Sequence, residues 1–213
     1  NRFVLNALLR RLGCEVLDLG IVPDSREATR QALREAAEGA DLIISAGGVS
    51  VGEEDHVRPA VEAEGQIDLW RVAIKPGRPL AYGRVGRHGP EGARAAVPGS
   101  FAHFIGLPGN PVSAYVTFLL FVRPFVLRLQ GIQAVEPQAV TLISGFDWTN
   151  PDRRREFLRA VHLPDGRLGL FRQQGSAVLT SAVVGDGLID NPPGQTIRQG
   201  DAVRFLSFAE LLN

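Results

Sequence analysis

The chain has 213 residues, 45% hydrophobic and 22% charged, ordinary values for a globular protein that can bury a sizeable core in one large or two small domains. Lysine plus arginine and aspartate plus glutamate both number 23, so the net charge is zero and no overall basic field favours nucleic acid. The single cysteine, Cys14, excludes an internal disulfide and fits a reducing, cytoplasmic setting.

In chain order, Phe3, Leu5, Leu8, Leu9 and Leu12 recur at helical spacing, and Gly13 stops that helix. Residues 15–20 read as a short strand, with Cys14 a small buried residue at its start. Asp24 stands three before Glu27, a helix-start signature, and Ala28, Ala32, Leu33 and Ala36 give the next helix an apolar face. Residues 42–45 form a short apolar run of the kind found in buried parallel strands. A glycine loop follows, then a helix over 57–64. Residues 67–73 and 80–85 read as strands around the turn Lys75-Pro76-Gly77-Arg78-Pro79. Residues 86–100, rich in Gly, Ala and Pro, read as a surface excursion. A strand over 104–107 leads into the longest helix, 111–129. Its apolar stretch is broken by Thr117, Arg123, Pro124 and Arg128, so no membrane partner is expected.

This alternation predicts a doubly wound α/β domain with a mostly parallel sheet over residues 1–133. Beyond 134 the pattern changes. Short runs at 139–143, 156–163, 168–171, 188–189, 196–197 and 202–208 alternate with turn signals such as Asp165-Gly166. Residues 134–213 are expected to form a small all-β domain, a barrel or sandwich. The chain lacks methionine and opens directly into a helical pattern, so it is expected to be a piece of something longer, with the first strand of its α/β domain missing.

Three loops follow sheet strands, where ligands of open α/β sheets sit. The first, GGVSVGEEDH over 47–56, has P-loop glycine spacing, but Glu53 stands where lysine is required. Gly47 and Gly48 are adjacent, which also excludes the dinucleotide pattern. Exposed amides and the Ser50 hydroxyl suit an anion, and the acids, Asp55 above all, suit a hard divalent cation. Equally, Asp55 reads as the cap of the next helix, with Glu53 and Glu54 as solvated first-turn acids. The second loop holds Lys75 and Arg78 at the tip of a proline-stiffened turn, which suits an oxyanion or an ordinary surface turn. The third loop runs through Pro108, Gly109, Asn110, Pro111 and Ser113. It reads both as a helix start, capped by Asn110 with Pro111 first, and as an anion site. Further on, Arg159 sits inside a strand pattern on the face of Phe157. Arg153, Arg154 and Arg155 read as a solvated face, and the four histidines show no metal-ligand spacing.

GGVSVGEED, KPGRP and GLPGNPVSA, in that order, resemble the molybdopterin molybdenumtransferases, whose eukaryotic relatives include the E domain of gephyrin. The opening 1–16 and the tail Arg155-Glu156-Phe157-Leu158-Arg159-Ala160 with Gln174-Gly175-Ser176 resemble the same family. The resemblance implies an enzyme that inserts molybdate into adenylylated molybdopterin and releases AMP with a divalent metal, taken as Mg²⁺. It implies that Ser50, Lys75, Arg78, Arg159 and Ser176 handle molybdate, with Lys75 catalytic. By the same token Asp55 is the catalytic, metal-binding acid, while Gly47, Gly48 and the segment through Pro108, Gly109, Asn110, Pro111 and Ser113 cradle the pterin nucleotide. Arg78 stands where family members often carry lysine, and Asp186-Gly187 where Asn-Gly is usual. The resemblance also implies further N-terminal domains, a Gly-Asp-Glu-Leu motif supplying a second acid, and a homodimer in the full-length protein. This chain alone is expected to be inactive. The alternative is a non-catalytic scaffold or nucleotide-binding module of the same fold, which would have no reason to keep these cations and hydroxyls together.

Overall fold

The computed structural model describes residues 1–49, 56–69, 71–77, 79–94, 99–177 and 179–212. These fold as two compact units. The first joins Asn1–Val72 to Pro79–Gly109, and the second joins Ala73–Arg78 to Asn110–Asn213.

In the first unit, α1 (Arg2–Arg11), α2 (Arg26–Gly39), α3 (Val57–Glu64) and α4 (Pro90–Arg94) accompany β1 (Leu42–Ala46), β2 (Gly65–Leu69), β4 (Ala81–Gly86) and β5 (Phe101–Leu107). The sheet order is β1-β5-β4-β2. Alternate residues of each strand face α2 and α3. Ile43, Ala81, Val85, Ala102 and Phe104 bury there against Leu33, Ala36, Ala37, Ala60 and Val61, the period-two inward set of a half-covered sheet. Three sequence expectations change. The sheet is mixed: β1 pairs β5 in parallel, but β4 is antiparallel to both β5 and β2. The excursion over 86–100 returns the chain beside its own strand, so β4 and β5 pair as a hairpin would. Residues 15–20 form no strand; they run alongside α1, where the Asp18 carboxylate pairs with Arg2 at 2.9 Å. Helix α2 is capped by Ser25, whose hydroxyl accepts from Ala28 N–H at 3.2 Å, one residue later than the Asp24 signature proposed.

The second unit contains β3 (Ile74–Lys75), the helical stretch α5 (Pro111–Thr117), a π-helical turn (Phe118–Val122) and α6 (Arg123–Leu129), followed by β6 (Val140–Ile143), β7 (Arg155–His162), β8 (Leu168–Leu170), α7 (Thr180–Val184), β9 (Gly187–Asn191), β10 (Ala202–Ser207) and α8 (Phe208–Leu211). Its sheet runs β3-β7-β9-β10-β6, with β8 on β7. The segment read as one strand over 67–73 stops at Leu69, and Ile74-Lys75 pairs in parallel with Arg155-Glu156. The turn at 75–79 therefore does not join two strands of one sheet. Nor is the C-terminal region purely β, because α7 and α8 fall within it. The predicted strand at 196–197 reduces to one bridge, Ile197 to Trp148. Leu158, Ala160, Leu168, Ile189, Ile197 and Phe205 form the core of this region. The continuous helix Pro111–Leu129 is long and apolar enough to cross a membrane by length and composition, yet 67% of its apolar window is buried inside the protein. It is a core helix whose polar interruptions are used: buried Arg123 donates to the Val135 carbonyl at 3.3 Å and the Glu210 carbonyl at 3.4 Å.

Candidate functional site

In the first unit, two glycine turns meet at the C-terminal ends of the parallel pair β1 and β5. Gly47 and Gly48 have φ of +93° and +69°, a region that favours residues without a Cβ. The Gly47 N–H donates to the Leu107 carbonyl at 2.9 Å. A Cβ built on Gly109 would stand 3.7 Å from the Gly47 Cα, so the two turns run in van der Waals contact. Val49 is buried against Gly106, where a Cβ would fall 2.4 Å from the Val49 Cγ1. Glycine at 106 thus lets the end of the first loop pack onto the strand. Pro108 is buried and Gly109 exposed, and the Asn1 side chain donates to the Gly109 carbonyl at 2.8 Å. Ser50 and Asp55 lie outside the described residues, so both readings of Asp55 keep their standing. Among the described residues no group of three His, Cys, Asp or Glu side chains could hold a metal ion.

The second unit brings together Lys75, Asn110, Pro111, Ser113, Arg159 and Ser176, and its charges are unevenly paired. Lys75 Nζ lies 3.3 Å from Glu156 and 3.4 Å from Asp152. Glu156 is fully buried on β7 and also accepts from Trp148 Nε1 at 2.8 Å and Asn191 Nδ2 at 3.4 Å. Arg154 beside Asp152, at 2.8 Å, holds that carboxyl far below the usual carboxylate range, with Lys75 adding to the effect. Arg155 forks onto Asp190, with Nη2 to Oδ2 at 2.9 Å, a geometry that favours guanidinium over ammonium. The run Arg153, Arg154 and Arg155 is therefore not a plain solvated face. Arg78 lies outside the described residues.

Arg159 differs from all of these. It is 1% exposed and among the described residues has no carboxylate within ion-pair distance. Nη2 donates to the Gly175 carbonyl at 3.0 Å and Nη1 to the Phe157 carbonyl at 3.4 Å, while Nε is buried with no partner. Desolvation pulls its pKa down to about 10, so it remains a cation at neutral pH. A buried charge without its counter-charge is costly unless a ligand supplies one.

The loop beside Arg159 is tied to the helix start. Ser176 accepts at its carbonyl from Val112 N–H at 3.1 Å and at Oγ from Asn110 Nδ2 at 3.2 Å. Asn110 occupies the position before α5 but makes no side-chain cap. Its amide goes to Ser176, and the Ser176 backbone satisfies one of the helix's open N–H groups instead. Pro111 is the first helical residue, as expected. Ser113 is buried, and its carbonyl accepts from Thr117 Oγ1 at 2.6 Å. Gly77, with φ of +115°, packs where a Cβ would meet Thr117 Cγ2 at 2.5 Å. The turn carrying Lys75 therefore lies directly on the first turns of α5. Asp152 is a part of this arrangement that the sequence reading did not single out, and Glu156 and Gln174 entered it only as members of the family-like tail, with no role assigned. Lys75 and Glu156 become cross-strand partners only once β3 is known to pair with β7.

Two family descriptions match the chain. A probable molybdopterin-binding domain covers residues 1–128, and the MoeA C-terminal region, domain IV, covers 141–208. Among curated proteins, the molybdopterin molybdenumtransferase of Haemophilus influenzae is 45% identical over 131 residues, covering 62% of this chain and 29% of that protein. The molybdenum cofactor synthesis protein cinnamon of Drosophila melanogaster is 34% identical over 200 residues, covering 90% of this chain and 30% of that protein. The chain thus spans about a third of the length of the curated relatives it matches. A solved molybdopterin biosynthesis MoeA protein from Pyrococcus horikoshii shares the fold at a TM-score of 0.75 and 23% identity, covering 98% of this chain and 47% of that one. The molybdenum cofactor biosynthesis protein of Pyrococcus furiosus does so at 0.73, covering 98% and 64%. The chain belongs to the family of probable molybdopterin-binding domains, joined here to a segment that matches the MoeA C-terminal region.

Proposed function

We propose that this chain is part of a molybdopterin molybdenumtransferase, which inserts molybdate into adenylylated molybdopterin and releases AMP. The observation that carries the reading is Arg159, a buried cation whose Nε has no partner among the described residues, on the same network as the Ser176 hydroxyl. A tetrahedral dianion is the chemistry that such a cation and hydroxyl would complete. In this reading Lys75 and Arg78 flank the oxyanion with charge, and Ser50 keeps the anion-binding role that the family resemblance implies. The ion pairs of the Lys75 ammonium with Glu156 and Asp152, at 3.3 and 3.4 Å, support a flanking role for Lys75 by limiting where its charge can sit. The open backbone at Gly47, Gly48 and Gly109, beside buried Pro108, suits the pterin nucleotide, since glycine allows close approach of a phosphate to main-chain N–H groups. Asn110, Pro111 and Ser113, which set the start of α5, are proposed to contact the pterin nucleotide as the family resemblance implies. Magnesium enters the proposal only through Asp55, because the described residues do not supply a donor set. The full-length protein is proposed to be a cytoplasmic homodimer, and the β strands of the second unit a closed barrel. The Gly145 N–H, donating to the Leu168 carbonyl at 2.7 Å, links the end of β6 to β8 and supports that closure.

The test is calorimetric titration of the purified chain with molybdate and, separately, with adenylylated molybdopterin. Arg159→Ala and Ser176→Ala are expected to weaken molybdate tenfold or more and leave pterin nucleotide affinity within threefold. Gly47→Val is expected to do the reverse. Molybdate affinity unchanged in Arg159→Ala would overturn the reading.

A further inference from the structure

On the side of β7 opposite β9, two strands pair at its ends. β3 pairs with Arg155-Glu156, and β8 pairs with Ala160-Val161-His162. Between them, at residues 157–159, no strand among the described residues pairs with β7 on that side, and the one backbone bond there is from the Phe171 N–H, just past β8, to the Arg159 carbonyl at 2.9 Å. The Gln174 side chain stands in the gap. Its Oε1 accepts from the Arg159 N–H at 2.9 Å, and its Nε2 donates to the Arg159 carbonyl at 2.8 Å. Nε2 also donates to the Phe171 carbonyl at 2.9 Å. One primary amide thus supplies the acceptor that a neighbouring strand would offer and a second donor beside the Phe171 N–H, and does so to a β7 residue whose buried Nε has no partner among the described residues.

The same residue begins the loop that meets the guanidinium. Gly175, next in sequence, accepts from Arg159 Nη2, and Ser176 holds the Val112 N–H and the Asn110 amide. Both ends of Arg159, its backbone and its guanidinium, are therefore fixed by one three-residue segment. Of the twenty side chains only glutamine has an amide of this reach. Asparagine is one methylene shorter, and glutamate has the acceptor without the donors. Gln173, the adjacent glutamine, is exposed.

We infer that Gln174 is a positioning residue: by clamping the Arg159 backbone and the 174–176 loop together, it aims the Arg159 guanidinium and the Ser176 hydroxyl at the same anion. The inference rests on the assignment of Arg159 to molybdate, and its test separates the two. Molybdate is titrated by calorimetry at 25 °C into the chain and into Gln174→Leu, Gln174→Glu, Arg159→Ala and the Gln174→Leu/Arg159→Ala double variant, each checked for native circular dichroism. Gln174→Leu is expected to weaken molybdate about tenfold, and Gln174→Glu, which keeps only the acceptor, to weaken it as well. In the Arg159→Ala background, Gln174→Leu is expected to add less than threefold, the non-additivity of residues acting through one another. Should Gln174→Leu not fold, Gln174→Glu carries the same comparison. Unchanged affinity in a folded Gln174 variant, with Arg159→Ala weakened, overturns the inference while sparing the anion assignment. Additive losses overturn it too. Equal affinities in the unsubstituted chain and Arg159→Ala remove the assignment itself, and the inference with it.

Discussion

Arg159→Met should stabilise the protein while destroying its anion affinity. The guanidinium is buried, and desolvation pulls its pKa to about 10. A cation whose folded pKa lies below its unfolded value is disfavoured in the fold at every pH below about 10. That penalty fades only as pH rises towards the unfolded value. At about 1.4 kcal/mol per pH unit, the displacement costs the charged form about 3 kcal/mol at neutral pH. Methionine removes the charge, fills most of the volume and adapts to irregular space. It also forfeits two hydrogen bonds, to the Gly175 and Phe157 carbonyls, worth about 1 kcal/mol for the shorter and less for the 3.4 Å contact. The expected net is a gain of about 1–2 kcal/mol, or roughly 2–8 °C in Tm for a chain of this size. Urea unfolding at pH 7.5, followed by far-UV circular dichroism and tryptophan fluorescence, measures it. The two probes also report whether the two units unfold together. A loss of more than 1 kcal/mol would refute the argument that Arg159 is held at a cost, and would make it an ordinary structural arginine. Stability rising as molybdate affinity falls is the signature of a group kept for a ligand rather than for the fold.

Three further outcomes follow from named contacts. Glu156→Ala removes the buried acceptor shared by Lys75, Trp148 and Asn191. It should lower unfolding free energy by about 3 kcal/mol in urea, and a cost below 1 kcal/mol would show that these donors find other partners. Gly77→Ala places a Cβ 2.5 Å from Thr117 Cγ2 at a φ of +115°. A loss of about 2–3 kcal/mol is expected, partly recovered by adding Thr117→Ser, and no recovery would assign the loss to backbone strain alone. Burial, with the Arg84 charge second, holds the His103 pKa below its ordinary value. A base with a lowered folded pKa contributes stability above its unfolded value near 6.5, which is lost as pH falls through the folded one. Stability should therefore drop between pH 7 and pH 5 by more in the unsubstituted chain than in His103→Gln, and equal pH slopes would contradict this.

Much of the architecture was legible because it rests on local pattern. The 3.6-residue period of Leu5 and Leu8, the Pro111 start of the long helix, and the alternation that put Arg159 inside a strand all survive in the structure. What was misread depends on the route of the chain between elements. The apolar run of β1 looks like a buried parallel strand, and it does pair in parallel with β5, but only Ile43 in it is buried and it lies at the sheet's edge; nor can the same reading show that β4 returns antiparallel beside β5. Residues 67–73 look like one strand, yet β2 stops at Leu69, and Ile74-Lys75, read as the approach to a turn, forms β3 in a different sheet. Asp24 and Ser25 are both good caps, and only the backbone decides between them. Gln174 was illegible in principle. A polar residue in a loop has no period, and its value arises from a gap between β3 and β8 that exists only after three strands have assembled.

The pairing of the second unit's cations separates holding from binding. Lys75, Arg154 and Arg155 each meet a carboxylate of the fold itself, at Glu156, Asp152 and Asp190. An incoming dianion at any of them must compete with an oxygen already in place, which subtracts from its affinity. At Arg159 it meets a guanidinium whose visible partners are neutral carbonyls, so the full attraction of a desolvated charge is available to it. On the proposed assignment, the paired cations would fix the shape of the anion site and supply long-range field, and Arg159, which has no acidic partner among the described residues, would supply most of the binding energy. That division explains why Lys75, the more exposed of the two, can be tied to two acids without losing its use. It also fits the position of Arg159, singled out in the sequence as an arginine inside an apolar strand, with Gln174, Gly175 and Ser176 arranged around it.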